Sequence, residues 1–244
     1  MKNMTKEELE KLYAEWHKRI QEHPGNQEQY NVEHAETLPD SPLKGKTIIF
    51  LGSSVTVGAA SREQSFVEDF AKIDGVIPVK EAVSGTTLAW DEEGKKTYIE
   101  RMLTIDKNIR ADAFICQLST NDATKGKKLG SVSDSKDREQ FDTTTAVGAM
   151  EYIISYAYDT WHCPVFFYTG TQFDSPRYEE MIRDLYELKD KWNVGVIDLW
   201  NNDHMNAATA EEKELYMNDP IHPTRAGYLT WWYPEMKKQL LEQL

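Results

Sequence analysis

Lys46-Thr-Ile-Ile-Phe-Leu-Gly-Ser-Ser-Val-Thr-Val-Gly58 is the stretch that decides the fold. Four apolar residues, Ile48 to Leu51, have the length and β-branched content of a buried parallel strand. The run stops at Gly52, and Ser53, Ser54 and Thr56 come before a second glycine. A strand that ends on glycine and passes to small hydroxyl residues puts a hydroxyl at the carboxyl edge of a sheet. In open α/β sheets that edge is where ligands bind. Ser54 is the working candidate for a nucleophile, although nothing inside this stretch separates it from Ser53.

Working outward, strands and helices alternate from Lys46 onward. Strand 47–51 leads to a helix around 62–73, where Phe66, Phe70 and Ile73 share a face. A short strand near 77–83 runs into Ser84-Gly85-Thr86-Thr87, and a helix is expected over 94–105. Ala113 to Leu118 is the next strong strand and runs into Ser119-Thr-Asn-Asp122. Residues 124–138, rich in Lys, Gly, Ser and Asp, read as a long mobile loop of the kind that binds substrates. A helix over 140–160, strand 165–168, helix 176–192 and strand 194–199 follow. After a polar segment with a short helix near 207–216, a last helix is expected over 224–243, beginning after Pro223. This alternation predicts about five parallel strands with helices on both faces, a three-layer α/β/α domain of flavodoxin-like type spanning 46–244.

The first 45 residues stand apart. Thr5 followed by Glu8 is a capping-box pattern, and Leu9, Leu12, Tyr13, Trp16 and Ile20 recur at helical spacing over 4–22. The stripe is expected to pack on the main domain or on a second subunit, which makes a homo-oligomer one expectation. Residues 23–45, with Pro24, Gly25, Pro39, Pro42 and Gly45, read as an ordered connector.

The totals exclude several classes. The 244 residues carry 41 acids against 28 bases, a formal net charge of −13. Such a surface repels phosphate backbones, so nucleic acid is not an expected partner. No run approaches the length of a membrane span, and the charged start lacks the apolar core of a signal peptide, so the expected location is the cytoplasm. Cys116 and Cys163 have no metal-ligand spacing and read as buried free thiols in a reducing compartment. No motif for a metal or cofactor is present: Gly52 to Gly58 lacks the lysine of a phosphate-binding loop, and no Gly-x-Gly-x-x-Gly follows the first strand.

A serine hydroxyl attacks only when a base removes its proton, and the base needs an orienting partner. Of six histidines, His17, His23 and His34 lie in the N-terminal extension, His162 ends a helix, and His204 lies in a polar loop. His222 differs, because Asn218-Asp-Pro-Ile-His-Pro-Thr224 holds it between two prolines with Asp219 three positions earlier. That spacing lets the carboxylate reach Nδ1 of the imidazole and leaves Nε2 for a hydroxyl. The alternative is that Asp219 only caps the turn and His222 fills a surface pocket. Two more strand ends carry donors: Gly85, where backbone can approach a ligand closely, and Asn121, whose amide can donate to an oxyanion. Taken singly, each also fits an ordinary turn or helix cap.

These segments resemble, in order and spacing, the four blocks of the SGNH hydrolases, also called the GDSL esterase/lipase family. The blocks are Gly52-Ser-Ser54-Val-Thr, Ala82-Val-Ser-Gly85-Thr, Leu118-Ser-Thr-Asn121-Asp122 and Asp219-Pro-Ile-His222-Pro. The resemblance covers about 175 residues and leaves out only the N-terminal extension. It implies Ser54 as nucleophile, His222 as base and Asp219 as the group orienting it. The Ser54 and Gly85 N–H groups with the Asn121 amide would form the oxyanion hole, and no cofactor is implied. The family's aspartate before the nucleophile is Ser53 here, which implies looser hydrogen bonding of the nucleophile turn, and its glycine before Thr-Asn-Asp is Ser119.

The function this implies is a serine esterase that removes a small acyl group, such as acetyl, from a carbohydrate or other polar alcohol through an acyl-enzyme. Other expectations are acyl transfer to an alcohol, lysophospholipase or thioesterase chemistry, and a binding module that keeps the fold without the chemistry.

Overall fold

The computed structural model describes residues 5–90 and 97–244. Helix α1, Lys6–Glu22, is closed at its start by the expected capping box: Glu8 N–H donates to Thr5 Oγ1 and Thr5 N–H donates to Glu8 Oε2. Three short 3-10 turns then carry the connector through Pro24–Asn26, Glu28–Tyr30 and Val32–His34.

The sheet begins with β1, Thr47–Gly52, followed by the single-turn helix α2, Ser54–Val57, and by α3, Phe66–Asp74. Strand β2, Ile77–Ala82, helix α4, Tyr98–Met102, and strand β3, Ala113–Gln117, come next. After α5, Thr120–Thr124, and α6, Ala146–Trp161, come β4, Val165–Tyr168, α7, Pro176–Trp192, and β5, Gly195–Ile197. Helices α8, Asp203–Asn206, and α9, Ala210–Tyr216, lead to a π turn over Gly227–Trp232 that runs directly into α10, Tyr233–Leu241.

All five strands are parallel, in the order β2-β1-β3-β4-β5. The predicted flavodoxin-like sheet is therefore the observed one. Side chains alternate across it with the two-residue period of a strand. Ile49, Leu51, Phe114, Cys116, Val165 and Phe167 enter one core with residues of α4, α6 and α7. Ile48, Phe50, Ala113, Ile115, Phe166 and Tyr168 enter the other with α3, the π turn and α10. Burial on both faces is why Ile48 to Leu51 read as an unbroken apolar run. Strand β2 is an edge, with Ile77 exposed and Pro78 tolerated in it.

Several boundaries move. Helix α3 starts at Phe66 rather than near 62, because Arg62 and Glu63 take positive φ and Ser65 caps the helix. Over the expected helix 94–105 only Tyr98–Met102 is helical, and residues 94–96, like residue 4, lie outside the described residues. Helix α6 starts at Ala146, where the Thr145 side chain accepts from Gly148 N–H. Strand β5 is three residues long, and the turn α2 was not expected at all. Cys116 and Cys163 are buried and unpaired. No helix among the described residues is long and apolar enough to cross a membrane.

The expectation of a mobile loop over 124–138 needs correction. Its first residue closes α5, and Leu129 is buried in the core. Ala146 N–H and Val147 N–H donate to the carbonyls of Lys128 and Leu129. Lys191 Nζ, on α7, donates to the carbonyls of Ser133 and Ser135 and to Glu151 Oε1, each at 2.5 Å. Glu151, fully buried in α6, also accepts from Ser133 N–H and the Trp192 indole. A polar composition thus hides a segment fastened by a buried ion pair. Lys191→Met should leave the Glu151 carboxylate without its cation and cost about 3–5 kcal/mol. Urea unfolding would measure that loss, and limited proteolysis should show new cleavage within 126–137.

Candidate active site

The strand order reverses beside β1: the chain moves from β1 to β2 on one side, then crosses to β3 on the other. Ligands of such sheets sit at the carboxyl ends of the strands flanking that switch point. Ser54 follows β1 and Asn121 follows β3, so both stand at that edge.

Ser54 opens the turn α2 and is 8% exposed. The backbone passes so close to the next turn that a Cβ on Gly52 would lie 1.8 Å from Thr56 Oγ1, so no larger residue fits there. Below the turn lies Gln117, the last residue of β3. Its Oε1 accepts from Ser53 N–H at 2.8 Å, Ser53 Oγ at 3.3 Å and Thr56 Oγ1 at 2.9 Å. Because Thr56 donates its only proton there, the Tyr168 hydroxyl 2.6 Å away donates to Thr56. The turn that carries Ser54 is therefore tied down by a residue of the central strand, and the looser bonding expected from Ser53 is not what is found.

His222 approaches from the other side of the edge. Met217 and Pro223 form an isolated bridge, and Asn218 N–H donates to the His222 carbonyl, closing 217–223 as a tight loop. Inside it Asp219 Oδ1 accepts from the backbone N–H groups of Ile221 and His222, both at 2.9 Å. Both carboxylate oxygens lie 2.9 Å from His222 Nδ1, and His222 Nε2 lies 2.8 Å from Ser54 Oγ. A carboxylate at Nδ1 places the proton there and leaves Nε2 as an acceptor for the serine hydroxyl. Asp219 does cap its own turn, as the simpler reading held, and in addition holds the imidazole. Burial pushes the Asp219 carboxyl up, but its bonds to the His222 ring and to the two backbone amides outweigh this and hold it at about 2.

The donor side is assembled from β2 and β3. Gly85 has φ +80°, a left-handed conformation that glycine adopts without strain. Among the described residues, neither Ser54 N–H nor Gly85 N–H donates to a protein acceptor. Asn121 Nδ2 donates one hydrogen to the Thr86 carbonyl at 2.9 Å, which turns the amide and leaves its second hydrogen for another acceptor. Asp122 beside it is fully buried and accepts from Leu88 N–H and Ala89 N–H. Burial raises its carboxyl to about 6 against the pull of these amides and of the Ser119 hydroxyl. Arg101, only 4% exposed, donates to the Gly52 carbonyl, to Thr86 Oγ1 and to the Glu81 carbonyl. It thereby locks the end of β1 to the loop that carries Gly85.

Four supporting residues escaped the sequence reading. Gln117 and Arg101 are two, and Asn26 in the connector is a third. Asn26 is fully buried, with Nδ2 donating to the carbonyls of Ile20 and Ala60 and Oδ1 accepting from Arg225 N–H. It links the segment after the nucleophile turn to the segment after His222. The fourth is Trp16 of α1, whose ring lies edge-on to the His222 ring with centroids 6.4 Å apart. Its signal was present in the apolar stripe, but the stripe does not say which residues face inward. Ile20 is buried and Trp16 half-buried, whereas Leu12 and Tyr13 are 45% and 55% exposed. His17, His34, His162 and His204 lie outside the site, and no cluster of metal-ligating side chains occurs among the described residues.

Asp219 titrates lower folded than its ordinary 3.8, so its contribution to stability is complete above about pH 5 and fades as pH falls through 2. The size is on the order of 2 kcal/mol at neutral pH, with roughly half remaining at pH 3. Asp219→Asn should therefore destabilise by about that amount at pH 7, and the gap to wild type should narrow between pH 4 and pH 3. Urea unfolding at a series of pH values measures it.

The sequence matches the model of the GDSL-like Lipase/Acylhydrolase family over residues 50–229, which takes in all four blocks. Comparison with curated proteins finds no significant match. Among solved structures, a protein from Lactobacillus plantarum is 19% identical with a TM-score of 0.64, over 82% of this chain and 96% of that one. A structure described as a GDSL-like lipase from Bacteroides ovatus is 18% identical with a TM-score of 0.56, over 81% and 96%. A carbohydrate esterase, whose active site is described as displaying divergent catalytic and non-catalytic binding functions, is 17% identical with a TM-score of 0.53, over 82% and 70%. These likenesses carry the fold, and the match over 50–229 carries the family: the chain belongs to the GDSL-like lipase/acylhydrolases, a family of hydrolases acting on esters.

Proposed function

We propose that the protein is a serine esterase in which Ser54 is the nucleophile, His222 the general base and Asp219 the residue that orients it. The observation that carries this reading is the unbroken relay from Asp219 through His222 Nδ1 and Nε2 to Ser54 Oγ, at 2.9 Å and 2.8 Å. Nε2 takes the hydroxyl proton as Oγ bonds to the ester carbonyl carbon, and the carbonyl electron pair moves onto oxygen. The Ser54 and Gly85 N–H groups and the spare hydrogen of the Asn121 amide receive that oxyanion. When the intermediate collapses, the carbon–oxygen bond to the alcohol breaks and the proton on Nε2 passes to the leaving oxygen. Water then attacks the acyl-enzyme by the same route, and the proton returns to Ser54.

The acyl group is small in this proposal, with acetyl the leading choice. Val55, Thr120 and Ile221, the neighbours of Ser54, Asn121 and His222, line a narrow cleft with Leu118, Phe173 and Tyr178. These side chains pack closely beside the site and leave no channel on that side for a long acyl chain. The alcohol is a carbohydrate or another polar alcohol, a reading in keeping with the fold shared with a carbohydrate esterase.

Fluorophosphonate labelling is the direct test. Wild type should label and Ser54→Ala should not, and a folded wild type that resists labelling would point to a binding module instead. His222→Ala should remove nearly all turnover without unfolding the chain. Asn121→Ala should lower kcat by about 10²–10³ if its amide receives the oxyanion; a rate near wild type would take it out of the site. On p-nitrophenyl esters of increasing length, kcat/KM should be highest for acetate, and a maximum at eight carbons or more would refute the small-acyl assignment. Product partitioning between water and an added alcohol separates hydrolysis from transfer.

A further inference from the structure

Helix α1 lies outside the residues that match the family, yet it reaches the candidate site. Trp16 and Arg19 are three residues apart and share one face of it. Trp16 stands edge-on to the His222 ring at 6.4 Å and 79°. Arg19 lines a crevice of about 320 Å³ with Asp219, Gln172, Asn206, Lys213 and Glu214. The crevice thus begins at the outer side of the loop that holds His222, and its lining mixes these hydrogen-bonding side chains with Met205, Met217 and Trp231. The packed side chains beside Val55 and Thr120 meet it at Thr171.

The chemistry of an ester assigns different partners to its two halves. In the reaction proposed above, on which this inference rests, His222 Nε2 gives its proton to the leaving oxygen. The alcohol must therefore lie on the His222 side while the acyl group lies beside Ser54. A crevice of mixed hydrogen-bonding and apolar lining next to an aromatic ring fits a polyhydroxylated ring, whose hydroxyls take hydrogen bonds while its C–H face rests on the indole.

We propose that α1 forms the wall of the leaving-group side, that Trp16 is a specificity-determining residue, and that the alcohol it selects is a saccharide. The exposed part of the Trp16 ring meets the sugar ring, and Arg19, Gln172 and Asn206 meet its hydroxyls. The extension is thus part of the substrate site of this chain, although it supplies no group to the chemistry.

The test compares the full-length wild type, Trp16→Ala and Trp16→Phe on an acetylated xylo-oligosaccharide and on ethyl acetate. The readout is the ratio of the two kcat/KM values. Trp16→Ala should lower that ratio about five- to ten-fold through KM for the saccharide ester, and Trp16→Phe should restore most of it. An equal loss on both esters would overturn the proposal, since it would mean that Trp16 only supports His222. An unchanged ratio would overturn it as well. Fluorophosphonate labelling of the wild type keeps the two levels apart. If it labels and the ratio does not move, only the role of α1 is lost; if it does not label, the esterase reading falls and this inference falls with it.

Discussion

One side-chain carbonyl underlies the geometry of the site. Gln117 Oε1 accepts three hydrogen bonds from the turn after β1, although Gln117 itself ends β3. A buried amide oxygen with its donors in place is stable, and the same oxygen without them is costly, so the turn has one favourable position. Ser54 inherits that position. The relay from Asp219 can work only if the hydroxyl stays where Nε2 finds it, and a displacement of an ångström would break it. Arg101 makes the corresponding tie to the loop of Gly85 through the Gly52 carbonyl and Thr86. Ser54 and the Gly85 loop are thus fixed to each other by buried polar groups rather than by packing.

The other half of the site is fixed by a residue remote from it in the chain. Asn26 reaches the carbonyl of Ala60 on the Ser54 side and the N–H of Arg225 just past His222. The connector therefore acts as a brace between two segments that no strand joins. Gly25 beside it allows this, since a Cβ there would collide with the Leu215 carbonyl and Thr224. The N-terminal extension and the matched domain are physically continuous at the site, whatever their separate histories.

The sheet was legible because burial on both faces writes itself into local sequence: β1, β3 and β4 are continuous apolar runs, and α7 has its cap at Ser175 and Pro176 at its start. The four blocks were legible because each lies at the end of a strand or in a proline-bounded turn. What could not be read depends on partners distant in sequence. Lys191 and Glu151 are 40 positions apart, and nothing near 124–138 announces that they will fasten it. Gln117 lies inside the expected strand 113–118, Arg101 inside the expected helix 94–105 and Asn26 inside the connector, and nothing local marks any of them. A buried polar side chain has no periodicity, and its meaning comes only from what it faces. The helix expected over 62–73 began late for a related reason: a pair of left-handed residues, Arg62 and Glu63, gives no signal of the glycine kind.

The π turn after His222 sets a constraint on chain length. Tyr233 N–H donates to the Tyr228 carbonyl, a bond spanning five residues instead of four. In a regular helix these two side chains would point about 140° apart; the wider π turn brings them closer in phase. The Tyr228 hydroxyl bonds the Val55 carbonyl in α2, and the Tyr233 hydroxyl bonds Asp74 at the end of α3. The extra residue is a phase correction that lets one helix be indexed to both. A single deletion between 227 and 232 would leave the composition of that helix almost unchanged, and would put it out of step with one anchor or the other.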